Sequence, residues 1–159
     1  MNPFLFALAF AAGMAIAAQA AINSQLAAGL GGFPIIAAFI SFLLGTVALG
    51  IMAATSGGAA TALAQITAQP LCRFAGGFLG AGAIFCTVML APRLGLAPLL
   101  ALVIAGQLLT SITIDNYGLL GVVTRPATAM RLAGAGVMLA GVLIALFGDR
   151  ILTAARAVA

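Results

Sequence analysis

Hydrophobic residues in this chain come in long runs, separated by short clusters of glycine, proline and small polar residues. Five runs stand out, at residues 4–30, 34–54, 73–91, 97–114 and 130–148, followed by a tail at 149–159. Each is near the roughly 20 apolar residues that an α-helix needs to cross about 30 Å of hydrocarbon. The pattern predicts an all-α integral membrane protein: a single membrane domain with five transmembrane helices. Gly29, Gly31 and Gly32 end the first run, and Pro34 suits the first turn of the second. Residues 55–70 are small and polar and form the longest loop, with a short surface helix expected near 59–67. Pro92-Arg93-Leu94-Gly95 reads as a tight turn, and Asp115-Asn116-Tyr117-Gly118 as another. The first run is ~40 Å long if unbroken, at ~1.5 Å per residue. Ala18-Gln19-Ala20 within it imitates a signal-cleavage site. No Lys or Arg precedes it and the chain stays hydrophobic after it, so a retained helix is expected.

The polar residues inside these runs carry the next inference. On the fourth helix Gln107, Thr110, Ser111 and Asp115 recur at spacings of three and four, which puts them on one face. On the first helix Gln19 falls near the middle, with Asn23 one turn on. Such side chains can act as interhelical glue, each bond contributing about 0.6–2 kcal/mol. They can instead line a mid-membrane solute site, where transporters bind their cargo. The midpoint position of Gln19 and Gln107 favours the second role. Gln19, Asn23, Gln107, Ser111 and Asp115 are therefore the candidate substrate-binding residues. Asp115 lies at the end of its helix, so it could be an Asx turn closing the helix, or a gate or proton acceptor at the cavity mouth. Ser41 and Thr46 are weaker candidates, because a hydroxyl can bond its own preceding turn. Gly76 and Gly80 form a GxxxG pair that admits a close helix, and Gly134, Gly141 and Gly148 make a smooth groove every seven residues.

Composition narrows the class. The chain is 65% hydrophobic and 5% charged, with a mean hydropathy of +1.31. Soluble domains carry roughly a quarter charged residues, so the solvent of this chain is lipid. It has no His, Lys, Glu or Trp, which leaves metal chemistry, cofactor binding and general acid–base catalysis without their usual parts; no enzyme activity, cofactor or metal is expected. Cys72 and Cys86 would sit many ångströms apart along a helical segment, so two free thiols are expected. The basic balance does not imply nucleic acid, since the six arginines are scattered singly between apolar segments. Asp149 beside Arg150 reads as a solvated pair in the tail.

The arginines bear on orientation. Five spans put the termini on opposite sides, with Arg73, Arg125 and Arg131 on one side and Arg93, Arg150 and Arg156 on the other. Orientation follows the Lys/Arg bias of the short loops, and here that bias cancels. Either a weak residual bias decides, or the chain inserts both ways. The second choice lets two oppositely inserted copies pair into a ten-helix unit, the inverted-repeat plan of many transporters built from two chains.

Residues 18–31 (AQAAINSQLAAGLG), 34–49 (PIIAAFISFLLGTVAL) and 91–121 (APRLGLAPLLALVIAGQLLTSITIDNYGLLG) resemble the five-helix YdcZ-like (DUF606) family of the drug/metabolite transporter (DMT) superfamily. The most specific parts are Asn-x-x-Leu in helix one, Ser-Phe-x-x-Gly-Thr in helix two and Gly-Gln…Asp-x-x-Gly in helix four. Ten-helix members of the superfamily look like two fused, inverted five-helix halves. The resemblance thus implies a half-size transporter that dimerises, in a bacterial inner membrane. Small multidrug exporters, a related class, exchange protons for cations on a Glu in helix one; this chain has no Glu, so that mechanism does not carry over. The expectation is a secondary transporter of a small polar or amphipathic metabolite, working by alternating access in an antiparallel homodimer. A channel or an accessory membrane subunit is the alternative, and a channel would show rings of charge or a carbonyl filter.

Overall fold

The structure, a computed structural model, describes residues 2–158; for 149–152, 154, 155, 157 and 158 it describes the backbone alone. The expected Asp149–Arg150 tail pair lies outside the described side chains. The fold is all-helical, with no strand among the described residues. Among the described residues, five helical segments are long and apolar enough to cross a membrane: Pro3–Gly29, Pro34–Thr55, Leu71–Leu94, Leu96–Tyr117 and Ala129–Gly148. The chain divides into two compact units, Met1–Arg93 and Leu94–Ala159.

In the first unit α1 (Pro3–Gly29) opens on Asn2, whose side-chain oxygen accepts the Phe4 N–H at 3.0 Å. It passes unbroken through Ala18-Gln19-Ala20. A four-residue turn leads to α2 (Pro34–Thr55), which packs against α1. The core of this unit is made of small side chains. Ala27 of α1, the fully buried Ala37 of α2 and Val88 meet, with Leu26 and Ile84 packed around them. Alanine lets helix backbones approach closely, and this close packing substitutes for the hydrophobic drive that lipid cannot supply. The long loop contains a short helix, α3 (Ala59–Ala64), followed by a 3-10 turn at Ile66–Ala68, close to where a surface helix is expected. The third span begins with a 3-10 turn at Leu71–Phe74 and continues as α4 (Ala75–Leu94). Cys72 and Cys86 are both free thiols. At Gly80 an added Cβ would meet the Phe42 ring at 3.7 Å, whereas Gly76 faces open space, so one half of the GxxxG pair makes a helix contact.

Two helix ends differ from the sequence expectation. Pro92 and Arg93 do not make the turn: α4 runs through both to Leu94. Proline forfeits one intrahelical bond, but in the last turn it stops little, and the break comes at Gly95 with φ +81, a region glycine enters freely. Likewise α5 (Leu96–Tyr117) includes Asp115 and Asn116, and the left-handed residue that ends it is Gly118, whose N–H bonds to the Ile114 carbonyl.

In the second unit α5 packs against α6 (Ala129–Val158). The apolar span of α6 stops at Gly148, yet the helix continues through most of the residues read as a tail. That stretch is alanine-rich and has neither glycine nor proline to stop it. Across both units the large apolar side chains point outward, as with Phe10 at 72% and Leu44 at 65% exposure. An apolar exterior over satisfied helical backbone is what hydrocarbon requires.

Candidate functional site

On α1 the buried residues Ala20, Asn23 and Ala27 recur at spacings of three and four, so they form one stripe. Asn23 is the single polar member: the residue is 5% exposed. Its amide makes no hydrogen bond among the described residues, and its polar atoms retain a sliver of accessible surface rather than being sealed. Gln19, one turn earlier, is exposed, and its amide is likewise free of partners among the described residues.

On α5 the predicted polar line is in place, with Gln107, Ser111 and Asp115 on successive turns of one helix. Each has a different environment. Gln107 is exposed and forms no hydrogen bond among the described residues. Ser111 donates its hydroxyl to the Leu108 carbonyl at 2.9 Å, which leaves the oxygen as an acceptor. Thr113 does the same to the Leu109 carbonyl at 2.9 Å. Asp115 is half-buried at the end of the helix and pairs with Arg131 in the first turn of α6, Oδ2 to Nη2 at 3.5 Å.

The Asx-turn reading of Asp115 fails. The helix continues two residues beyond it, and its carboxylate turns to Arg131 instead of its own backbone. The same region ties down the connector at residues 118–128. The Asp115 carbonyl accepts the Arg125 N–H at 2.7 Å, and the Asn116 side-chain oxygen accepts the Ala127 N–H at 3.0 Å. Thr128 caps α6 by accepting the Arg131 N–H at 3.3 Å. A Cβ at Gly118 would collide with Thr124 Oγ1, which shows how closely the connector returns over the end of α5. Within it Leu120 takes a left-handed conformation, φ +60, while 87% exposed.

Sequence reading located Asn116 in a turn and did not anticipate its bond eleven residues on, since nothing local encodes a partner at that distance. Thr128 was legible, as a hydroxyl residue just before an apolar run.

Over residues 4–144 the chain matches the family described as "Putative inner membrane exporter, YdcZ". The chain belongs to this family. It is a multi-pass protein of the inner membrane and a membrane transporter, in a family of transporters and not of enzymes. No curated protein and no solved structure matches the chain.

The connector bonds rank differently in strength. The Asp115–Arg131 pair is long and partly exposed, with side chains 29% and 47% accessible, so it contributes at most ~1 kcal/mol. Losing the Asn116 acceptor strands the N–H of half-buried Ala127, at roughly 1–3 kcal/mol. Asn116→Leu is therefore expected to speed protease cleavage within residues 118–128 of the purified protein several-fold. Asp115→Asn is expected to change it little. A large effect of Asp115→Asn with little effect of Asn116→Leu would show that the ion pair, and not the amide, holds the connector.

Proposed function

We propose that this transporter is a secondary carrier of a small polar or amphipathic metabolite, with Gln19, Asn23, Gln107, Ser111 and Asp115 as its substrate-binding residues. The observation that carries the reading is Asn23: a residue buried in a packed helix stripe whose amide has no partner among the described residues. Its polar atoms keep some accessible surface, so water or a solute can reach an amide that no group of the chain satisfies. A structural amide would have found a bonding partner across the helix interface; a solute-binding amide is left unsatisfied until water or cargo arrives. Gln19 and Gln107 pose the same problem from exposed positions, because an amide cannot remain unpaired against lipid tails. Their partners are then solute, cavity water or a second copy of the chain.

The second copy is an inverted one. Its support is the cancelling arginine count, the odd number of spans and the resemblance to a superfamily of inverted halves. Five helices alone also lack a second bundle against which to rock in alternating access. In the α6 groove of Gly134, Gly141 and Gly148, an added Cβ would meet no atom within 4 Å at the first two and the Ile144 side chain of the same helix at 3.5 Å at the third, so the groove is open to a neighbouring chain at Gly134 and Gly141. Asp115, paired with Arg131 at a span end, acts in this scheme as a gate.

Cells producing wild type and Asn23→Leu at equal membrane levels should differ in what they release. At least one metabolite is expected to accumulate outside the wild-type cells alone, and its flux in vesicles should saturate and show counterflow. Non-saturating flux would indicate a channel, identical release profiles would remove Asn23 from the solute path, and no flux of any released metabolite in vesicles would indicate an accessory subunit.

The antiparallel dimer makes a separate prediction. With Cys72 and Cys86 replaced and one cysteine placed at Ala159, about half of the tails are expected to react with an impermeant thiol reagent from each side, as a cancelled Lys/Arg bias implies. Labelling from one side alone would rule out the antiparallel homodimer.

A further inference from the structure

The placement of charge along the spans points to the class of solute. We infer that the cargo carries no net charge and presents both hydrogen-bond donors and acceptors; this rests on the carrier reading above. The interior of the spans offers Gln19, Asn23, Gln107, Thr110 and Ser111, and no ionisable group among them. An amide brings two donors and two acceptor lone pairs, while Ser111, its proton given to the Leu108 carbonyl, adds an acceptor. Each unit's group, Gln19 and Asn23 in the first and Gln107, Thr110 and Ser111 in the second, offers both donors and acceptors, as suits a neutral polar molecule.

Every described charge on the spans sits at an end. Arg73 is third in Leu71–Leu94 and Arg93 next to last; Asp115 is third from the end of Leu96–Tyr117; Arg131 is third in Ala129–Gly148. A charged solute at mid-membrane needs a countercharge close by, because fixed neutral dipoles replace its hydration only in part. For a cation that countercharge would be a free carboxylate. The chain's two acids lie outside the span interiors: Asp115 stands beside Arg131 at a span end, the mouth of the path, and Asp149 follows the last span. Arg93 and Arg125 have no side-chain partner among the described residues, so the span ends also repel cations. For an anion the interior holds no guanidinium or ammonium. A neutral solute meets neither obstacle.

Two matched series test this with known probes: glucose, glucosamine and glucuronate, then hexanamide, hexylammonium and hexanoate. Thermal stabilisation of the purified full-length protein is measured against the concentration of each. A neutral member of at least one series is expected to stabilise wild type at a roughly tenfold lower concentration than either charged member, since binding to the folded state raises stability with ligand concentration. The stabilisation is expected to vanish in Asn23→Leu. Asn23→Asp, nearly the same shape with a carboxylate, is expected to turn the preference toward glucosamine or hexylammonium. Equal or tighter binding of a charged member by wild type overturns the inference, as does stabilisation by none of the neutral ones. The two readings separate in vesicles. Saturable uptake of a charged probe by wild type and not by Asn23→Leu removes the neutral class and leaves the carrier standing. Linear flux of every probe removes the carrier as well.

Discussion

An amide in hydrocarbon must find a hydrogen-bonding partner, and this constraint organises the molecule. The backbone meets it by forming helices throughout, and the hydroxyls of Ser111 and Thr113 meet it by bonding the preceding turn of their own helix. The amides of Gln19, Asn23 and Gln107 do not meet it within one chain, among the described residues. Asparagine and glutamine carry a second polar atom that a single backbone carbonyl cannot satisfy, so the remainder falls to water, solute or another protein chain. Asn23 is the decisive case because it lies in the packed stripe of α1 and not on its outer face.

Packing in the first unit serves the same end. Ala27, Ala37 and Val88 bring three helices together through small side chains, while the large apolar residues are given to the exterior. Close backbone approach holds such a bundle through dispersion contacts, without a hydrophobic drive between helices. In the second unit the connector between α5 and α6 is secured by backbone and amide bonds at its base, with an ion pair beside them that partial exposure weakens. Charge is thus confined to the edges of the apolar spans, and the interior is left to neutral polar groups.

Much of this was legible in the sequence because the signal was long. Five apolar runs of about twenty residues leave few alternatives once the backbone must satisfy itself. The start of α2 at Pro34 and the helical face shared by Gln107, Ser111 and Asp115 follow from proline chemistry and from the 3.6-residue period. The errors lie where a local breaker was read too literally. Pro92 and the Asp115-Asn116 pair looked like turns, but the last turn of a helix tolerates both, and the chain breaks only at Gly95 and Gly118, where a left-handed backbone is needed. The Asn116–Ala127 and Asp115–Arg131 contacts could not be read at all, since they depend on how the connector returns. Nor does sequence periodicity distinguish the buried Asn23 from the exposed Gln19 one turn away.

Water must reach Asn23 if this residue lines a solute path, and thiol chemistry measures that directly. In protein freed of Cys72 and Cys86, Asn23→Cys is compared with Ile22→Cys, whose side chain is 66% exposed on the outer surface of α1. The cysteine thiolate attacks a small water-soluble methanethiosulfonate reagent, forming a mixed disulfide and releasing methanesulfinate, and that thiolate forms only where water solvates it. In intact membranes position 23 is expected to react and position 22 to stay inert, with both reacting after denaturation. An unreactive cysteine at position 23 from either side of the membrane would make Asn23 a packed structural residue and contradict the solute path.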